Sequence, residues 1–212
     1  MEAAEWDRRY AEARQWSVEP NRTAAELTSG LRPGRALDVA AGEGRMALWL
    51  ADGGWDVDAI DFSAVGLRRG QENAPPGARV TWRVEDVLTA DLGSAEFDLV
   101  LVLYLHLPRP QMVDVLARSA GAVRPGGHLL VLGHDRENLT RGIGGPQDSD
   151  VLYDPELLGG AVPGWGISRL KRVDRDTDSG TAPPARPALF LRSLVRRTRF
   201  PHVGGHEQPG EH

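Results

Sequence analysis

Residues 36 to 45, Ala36-Leu37-Asp38-Val39-Ala40-Ala41-Gly42-Glu43-Gly44-Arg45, constrain the fold more than any other stretch of the chain. A short apolar run holding one acid meets a turn of small residues, and an apolar helical pattern follows from Met46 to Leu50. A strand that passes through glycines into a helix leaves main-chain N–H groups uncapped at the helix start, and a ligand can lie directly against them. Doubly wound sheets hold nucleotide-type cofactors this way, at the carboxyl edge of the first strand. A glycine pair alone is often no more than a turn, so the weight rests on what accompanies it.

Two acidic positions accompany it. Asp61 ends the second apolar run, nineteen residues beyond Gly42. An acid there can accept both ribose hydroxyls of an adenosine cofactor. Glu85-Asp86 follows the third run, at an edge where a carboxylate can accept from an adenine amine.

Short apolar runs alternate with amphipathic stretches, which predicts βαβ units and a mostly parallel sheet. The spacing predicts helices over 5–16, 23–31, 44–52, 64–73 (with Ser63 as N-cap) and 110–123. Strands are predicted over 35–39, 55–60, 78–84, 97–103 and 128–133, the last entered through the turn Arg124-Pro125-Gly126-Gly127. Residues 134–164 read as a long irregular connection with one helical turn after Asp154-Pro155, the kind of segment that forms lids and binding loops. Two closing strands are predicted over 166–174 and 188–197. The proline-rich stretch Thr181 to Pro187 would interrupt a ladder between them. This gives one domain over 31–200, a helical cap of the same domain over 1–30, and a mobile tail over 201–212.

Composition narrows the partners. A chain of 212 residues suits a single domain. A net charge of −5 and a pI near 5.7 oppose a strong hold on nucleic acid or an anionic membrane. There is no cysteine, which excludes disulfides, thiolate metal sites and a cysteine nucleophile. The longest apolar run, Leu99 to Leu105, is far too short to span a bilayer, and the acidic start has no apolar core of a signal peptide. A soluble cytoplasmic protein is expected. No pattern bears on its oligomeric state.

Several short motifs occur in a familiar order: Trp6-Asp7-x-x-Tyr10, Leu37 to Arg45, Asp61-Phe62-Ser63, Glu85-Asp86-Val87, Phe97-Asp98-Leu99-Val100 and Val123-Arg124-Pro125-Gly126-Gly127. Over roughly residues 5 to 160 the chain resembles class I S-adenosylmethionine-dependent methyltransferases, of the small bacterial kind similar to tellurite-resistance and thiopurine-type enzymes. The resemblance implies an α/β fold with a single Rossmann-like, doubly wound, seven-stranded sheet of order 3-2-1-4-5-7-6, the last strand antiparallel. It also implies S-adenosylmethionine as cofactor. By position, Asp38, Ala40 and Gly42 lie along its methionine end, Asp61 at the ribose, Phe62, Asp86 and Val87 at the adenine, and Leu103 and Tyr104 beneath the methionine portion. Ala40 stands where that family more often has a glycine, which an ordinary backbone conformation tolerates. The amino-terminal helix, with Trp6, Tyr10 and Trp16, would cover the cleft, where aromatic faces also attract a sulfonium.

Methyl transfer from a sulfonium needs a nucleophile held in line and, for a hydroxyl, help in losing its proton. Thiols, selenols and amines can react without a base. His106 after the fourth strand and His134 after the fifth fall on the same edge and titrate near neutrality, so both are candidate bases. Asp135 follows His134, but adjacent side chains in an extended segment point oppositely. Asp135-x-x-Asn138 offers too few oxygen ligands for a metal site. His202, His206 and His212 fall in a Gly-rich tail that cannot fix them.

The expected function is methyl transfer to a small-molecule acceptor: a thiol, a metalloid oxyanion, a hydroxyl or an amine. One alternative is an NAD(P)-dependent oxidoreductase. Its turn would usually carry a third glycine where Ala47 stands, Asp38 falls where pyrophosphate charge would lie, and there is no Tyr-x-x-x-Lys. The other is a cofactor-binding protein without catalytic activity.

Overall fold

The computed structural model describes residues 2–13, 17–141, 144–163, 165–175 and 185–195, with only the backbone for 141, 166–175 and 185–195. Trp16, the stretch from Thr181 to Pro184 and the tail with its three histidines lie outside the described residues.

Five strands, β1 (Arg35–Val39), β2 (Asp56–Asp61), β3 (Val80–Val84), β4 (Phe97–Leu103) and β5 (Val123–His134), pair in parallel in the order β3-β2-β1-β4-β5. Beyond β5 the backbone of β7 (Ala185–Val195) runs antiparallel to it, and β6 (Gly166–Arg175) pairs antiparallel with β7. The α/β, Rossmann-like class is therefore as expected.

The apolar composition of the central strands follows from cover on both faces. Leu99 and Leu101 of β4 pack with Met46, Ala47 and Leu50 of α3 (Arg45–Asp52) and with Ala24 of α2 (Arg22–Thr28). Val100 and Val102 pack on the other face with Met112, Val115 and Leu116 of α5 (Arg109–Ala122) and Leu157 and Leu158 of α7 (Pro155–Ala161). Each such fully buried aliphatic side chain contributes roughly 1.5–3 kcal/mol.

Two caps are as predicted or nearly so. Ser63 Oγ accepts from Gly66 N at 3.0 Å and starts α4 (Ala64–Asn73). Asp154 accepts from Leu157 N at 2.6 Å and starts α7. Two expectations are corrected. Arg124 to Gly127 is not a turn before β5 but lies inside it, where the register with β4 shifts between Phe97 and Leu99. Residues 134–164 are more ordered than expected, holding α6 (Asn138–Arg141), a 3-10 turn (Ser149–Val151) and α7.

The amino-terminal helix α1 (Ala3–Glu12) docks on α4. Asp7 accepts from Ser63 Oγ at 2.5 Å and from Val65 N at 3.2 Å, placing an acid at the positive end of α4. Tyr10 is buried against Gly66, where an added Cβ would come within 3.0 Å of the ring. The helix stops at Glu12, short of the predicted extent, because Ala13 is extended.

Candidate active site

The carboxyl edge of the parallel sheet carries the predicted positions. After β1 the chain turns through Ala40, Gly42 and Gly44 with φ of 58°, 60° and 70°. Left-handed backbone suits glycine; for alanine it costs of order 1 kcal/mol. The ordinary backbone that would tolerate alanine freely is not what Ala40 has: the substitution is accepted under strain. Tyr104, at the end of β4, has φ of 57° as well. Non-glycine residues in this region cluster at functional edges because surrounding structure must hold them there.

Asp61 braces the turn. One carboxylate oxygen accepts from Gly42 N and the other from Ser63 N, both at 2.8 Å. Two lone-pair directions remain for a ligand. Burial pushes its carboxyl above the ordinary value, against the pull of those two N–H groups.

Asp38 sits behind the same turn, 3 % exposed. It accepts from Ala47 N at the start of α3, but its Oδ2 is buried without a partner. Burial first, and then the neighbouring Asp61, push its carboxyl up to about 7, with Arg45 opposing. A buried carboxylate oxygen left unsatisfied is costly, and a cationic donor brought beside it would remove that cost.

Two cavities meet at this edge. A smaller one of about 110 Å³ is lined by Asp38, the Ala40–Gly42 turn, Arg45, Leu103 and Tyr104, with Trp6 and Tyr10 of α1 on its outer wall. A larger one of about 830 Å³ is lined by Val84 to Leu88, Leu105 to Pro108, Gln111 and Val151. Ala40, Asp61, Phe62, Leu105 and His106 line both. Together they bring Tyr10, Asp38, Ala40, Gly42, Asp61, Phe62, Asp86, Val87, Leu103 and His106 to one crevice. Within it Asp86 is exposed and turns Oδ1 onto Leu88 N at 2.9 Å, while Glu85 is paired with Arg83 at 2.8 Å.

This set fits S-adenosylmethionine on its chemistry. The unpartnered Asp38 oxygen suits a cationic donor, Asp61 keeps lone pairs for hydroxyls, and Phe62 and Val87 offer apolar faces to a base.

The two histidines separate. His106 is 9 % exposed, and its Nδ1 lies 3.0 Å from the Val151 carbonyl. A carbonyl only accepts, so Nδ1 carries the proton and Nε2 carries the lone pair. That Nε2 is buried without a partner. Burial lowers its pKa, which keeps the ring neutral at pH 7. His134 lines neither cavity; its ring stacks on His106 and meets Tyr104 edge-on, both at 5.2 Å between centroids. It backs His106 rather than reaching the crevice. Asp135 is fully buried and accepts from Glu137 N at 2.7 Å as the first turn of α6. No cluster of three potential metal ligands occurs among the described residues.

Three contributors were not predicted. Asp7 lay within a quoted motif of which only the aromatics were used. Arg45 followed the glycine turn in plain view. Val151 acts through its main chain, which no side-chain pattern reveals. It is held there by Tyr153, whose hydroxyl donates to the Leu105 carbonyl at 2.5 Å, and by Arg109 on Asp154 at 2.8 Å.

The chain is similar to known methyltransferases. Residues 36–127 match the family described as "Methyltransferase domain". An uncharacterized methyltransferase of Mycobacterium bovis is 36% identical over 112 residues, covering 50% of this chain and 54% of the relative. The chain thus spans about half the length of the curated relatives it matches. Among solved structures, a SAM-dependent methyltransferase of Methanosarcina mazei superposes with a TM-score of 0.64 at 13% identity, covering 84% of this chain and 100% of the other. A protein from a study of disulfide-to-thioacetal conversion in echinomycin biosynthesis superposes at 0.67 with 19% identity, covering 90% and 88%. These likenesses show the fold. No helix among the described residues is long and apolar enough to cross a membrane.

Proposed function

We propose that this chain, which matches a methyltransferase domain over residues 36–127, is a class I S-adenosylmethionine-dependent enzyme that methylates a small-molecule acceptor. When bound, the cofactor supplies an electrophilic methyl group on sulfur. Asp38 binds the ammonium of its methionine end, and Asp61 accepts from the ribose hydroxyls. Phe62 and Val87 pack the adenine, with Asp86 at its amine edge. Leu103 and Tyr104 support the methionine portion from below. Helix α1 closes the small cavity with Trp6 and Tyr10 and excludes water, as part of a cap over 1–30 on the domain of 31–200. The β6–β7 hairpin completes, on this reading, the seven-stranded sheet of such enzymes. His106 Nε2 takes a proton from an acceptor that must lose one; His134 holds the His106 ring.

The observation that carries the reading is the bare, buried Asp38 oxygen on the same cavity wall as Asp61. It also counts against a nicotinamide cofactor, whose pyrophosphate would bring negative charge to that carboxylate. Calorimetric titration with S-adenosylhomocysteine tests it: binding should be clear in the natural chain and weakened about 100-fold or more by Asp61→Ala. Heat with NAD and none with S-adenosylhomocysteine would favour the oxidoreductase.

A further inference from the structure

The two unpartnered atoms of the crevice point to different ligands. Asp38 Oδ2 faces the methionine end, which leaves His106 Nε2 for the acceptor. With its other nitrogen bound to the Val151 carbonyl, Nε2 can receive a hydrogen bond and cannot give one. An acceptor must therefore bring a proton to it. An oxyanion brings lone pairs instead; the larger cavity has no lysine or arginine among its described residues, and Arg45 of the smaller cavity already interacts with Asp38. A thiol is a weak donor and leaves Nε2 poorly satisfied. The stretch of the larger cavity that holds His106 is also lined by Leu105, Leu107, Pro108 and Val151, so the body of an acceptor beside it meets apolar surface.

Resting on the methyltransferase reading, we propose that the acceptor is an uncharged hydroxyl compound with an apolar body, a phenol or enol, whose O–H donates to His106 Nε2. A phenolic proton, with a pKa of about 10, lies far closer to imidazole than the proton of an ordinary alcohol. The balance is complete: the O–H proton passes to Nε2, the oxygen–carbon bond forms, and the carbon–sulfur bond breaks with its electron pair left on sulfur. The proton then leaves to solvent from the imidazolium.

The test uses the full chain saturated with S-adenosylhomocysteine, titrated with 2-naphthol, 2-methylnaphthalene, 2-naphthoate and selenite, alongside turnover with S-adenosylmethionine and 2-naphthol, 2-naphthalenethiol and selenite. 2-Naphthol should bind about tenfold more tightly than 2-methylnaphthalene, the worth of one buried hydrogen bond, and be O-methylated. His106→Phe should erase that tenfold preference while S-adenosylhomocysteine still binds. Tighter binding of 2-naphthoate or selenite, faster methylation of the thiol or selenite, no binding of 2-naphthol, or a preference that survives His106→Phe would each overturn the inference. Failure of S-adenosylhomocysteine itself to bind would instead bring down the methyltransferase reading.

Discussion

The two edges of the parallel sheet are built from similar residues and treat them oppositely. At the amino edge, Asp98 accepts from Arg35 N at 2.9 Å and pairs with Arg124, while the Arg35 side chain reaches Glu96 at 3.2 Å and Asp58 at 3.4 Å. Each of these charges has a protein partner. At the carboxyl edge, Asp38 Oδ2 and His106 Nε2 are buried without one; left-handed backbone occurs at both edges, at Ala95 before β4 and at Ala40 and Tyr104 here. The third unpartnered atom among the described residues, Ser119 Oγ, lies in α5 and lines neither cavity. Polar satisfaction marks the edge that holds the fold together; its absence marks the edge kept ready for a ligand.

Substitutions can break that contrast. The largest expected effect is His106→Gln, which should lower turnover of a hydroxyl acceptor by about 10²–10⁴-fold and leave cofactor affinity intact. Because burial lowers the His106 pKa, the base form persists to lower pH, and at saturating cofactor the acidic limb of turnover should fall below the ordinary histidine value of 6.5. Turnover unchanged in the variant would remove His106 from the chemistry. Next, Asp98→Ala should cost about 0.5–1.5 kcal/mol in denaturant unfolding by removing the hydrogen bond from Arg35 N, with the dissociation constant for S-adenosylhomocysteine unmoved. A variant that lost cofactor instead would erase the distinction between edges. The smallest is Ala40→Gly, which should raise stability by up to about 1 kcal/mol by relieving left-handed alanine; a loss of stability would deny the strain.

Local signals were legible and long-range ones were not. β1 and β4 were read to the residue because an apolar run covered on both faces is bounded by abrupt changes in polarity. Ser63 was legible as a cap because capping is settled within three residues. The glycine turn and its acids announced the crevice at the carboxyl edge. The order within 134–164 was missed because Tyr153 and Asp154 are fixed by Leu105 and Arg109, more than forty residues away. For the same reason, sequence alone could not separate His106 from His134. Only the Val151 carbonyl, 45 residues beyond, sets the tautomer of one and leaves the other as support.

The central claim is that Asp38 awaits a cation, and its titration tests this most directly. Burial holds its carboxyl near 7, whereas the unfolded chain has 3.8. The folded protein thus keeps a proton that the unfolded chain sheds between those values, and Asp38 makes the ligand-free fold less stable as pH rises from about 4 to 7. A bound ammonium favours the ionised form, so binding below pH 7 must expel the proton. Calorimetry of S-adenosylhomocysteine from pH 8 to 6 should show affinity level above 7 and falling towards tenfold per unit below it, with proton release. Asp38→Asn should bind weakly and lose that slope. An affinity flat across this range in the natural chain, or the same slope in the variant, would contradict the account.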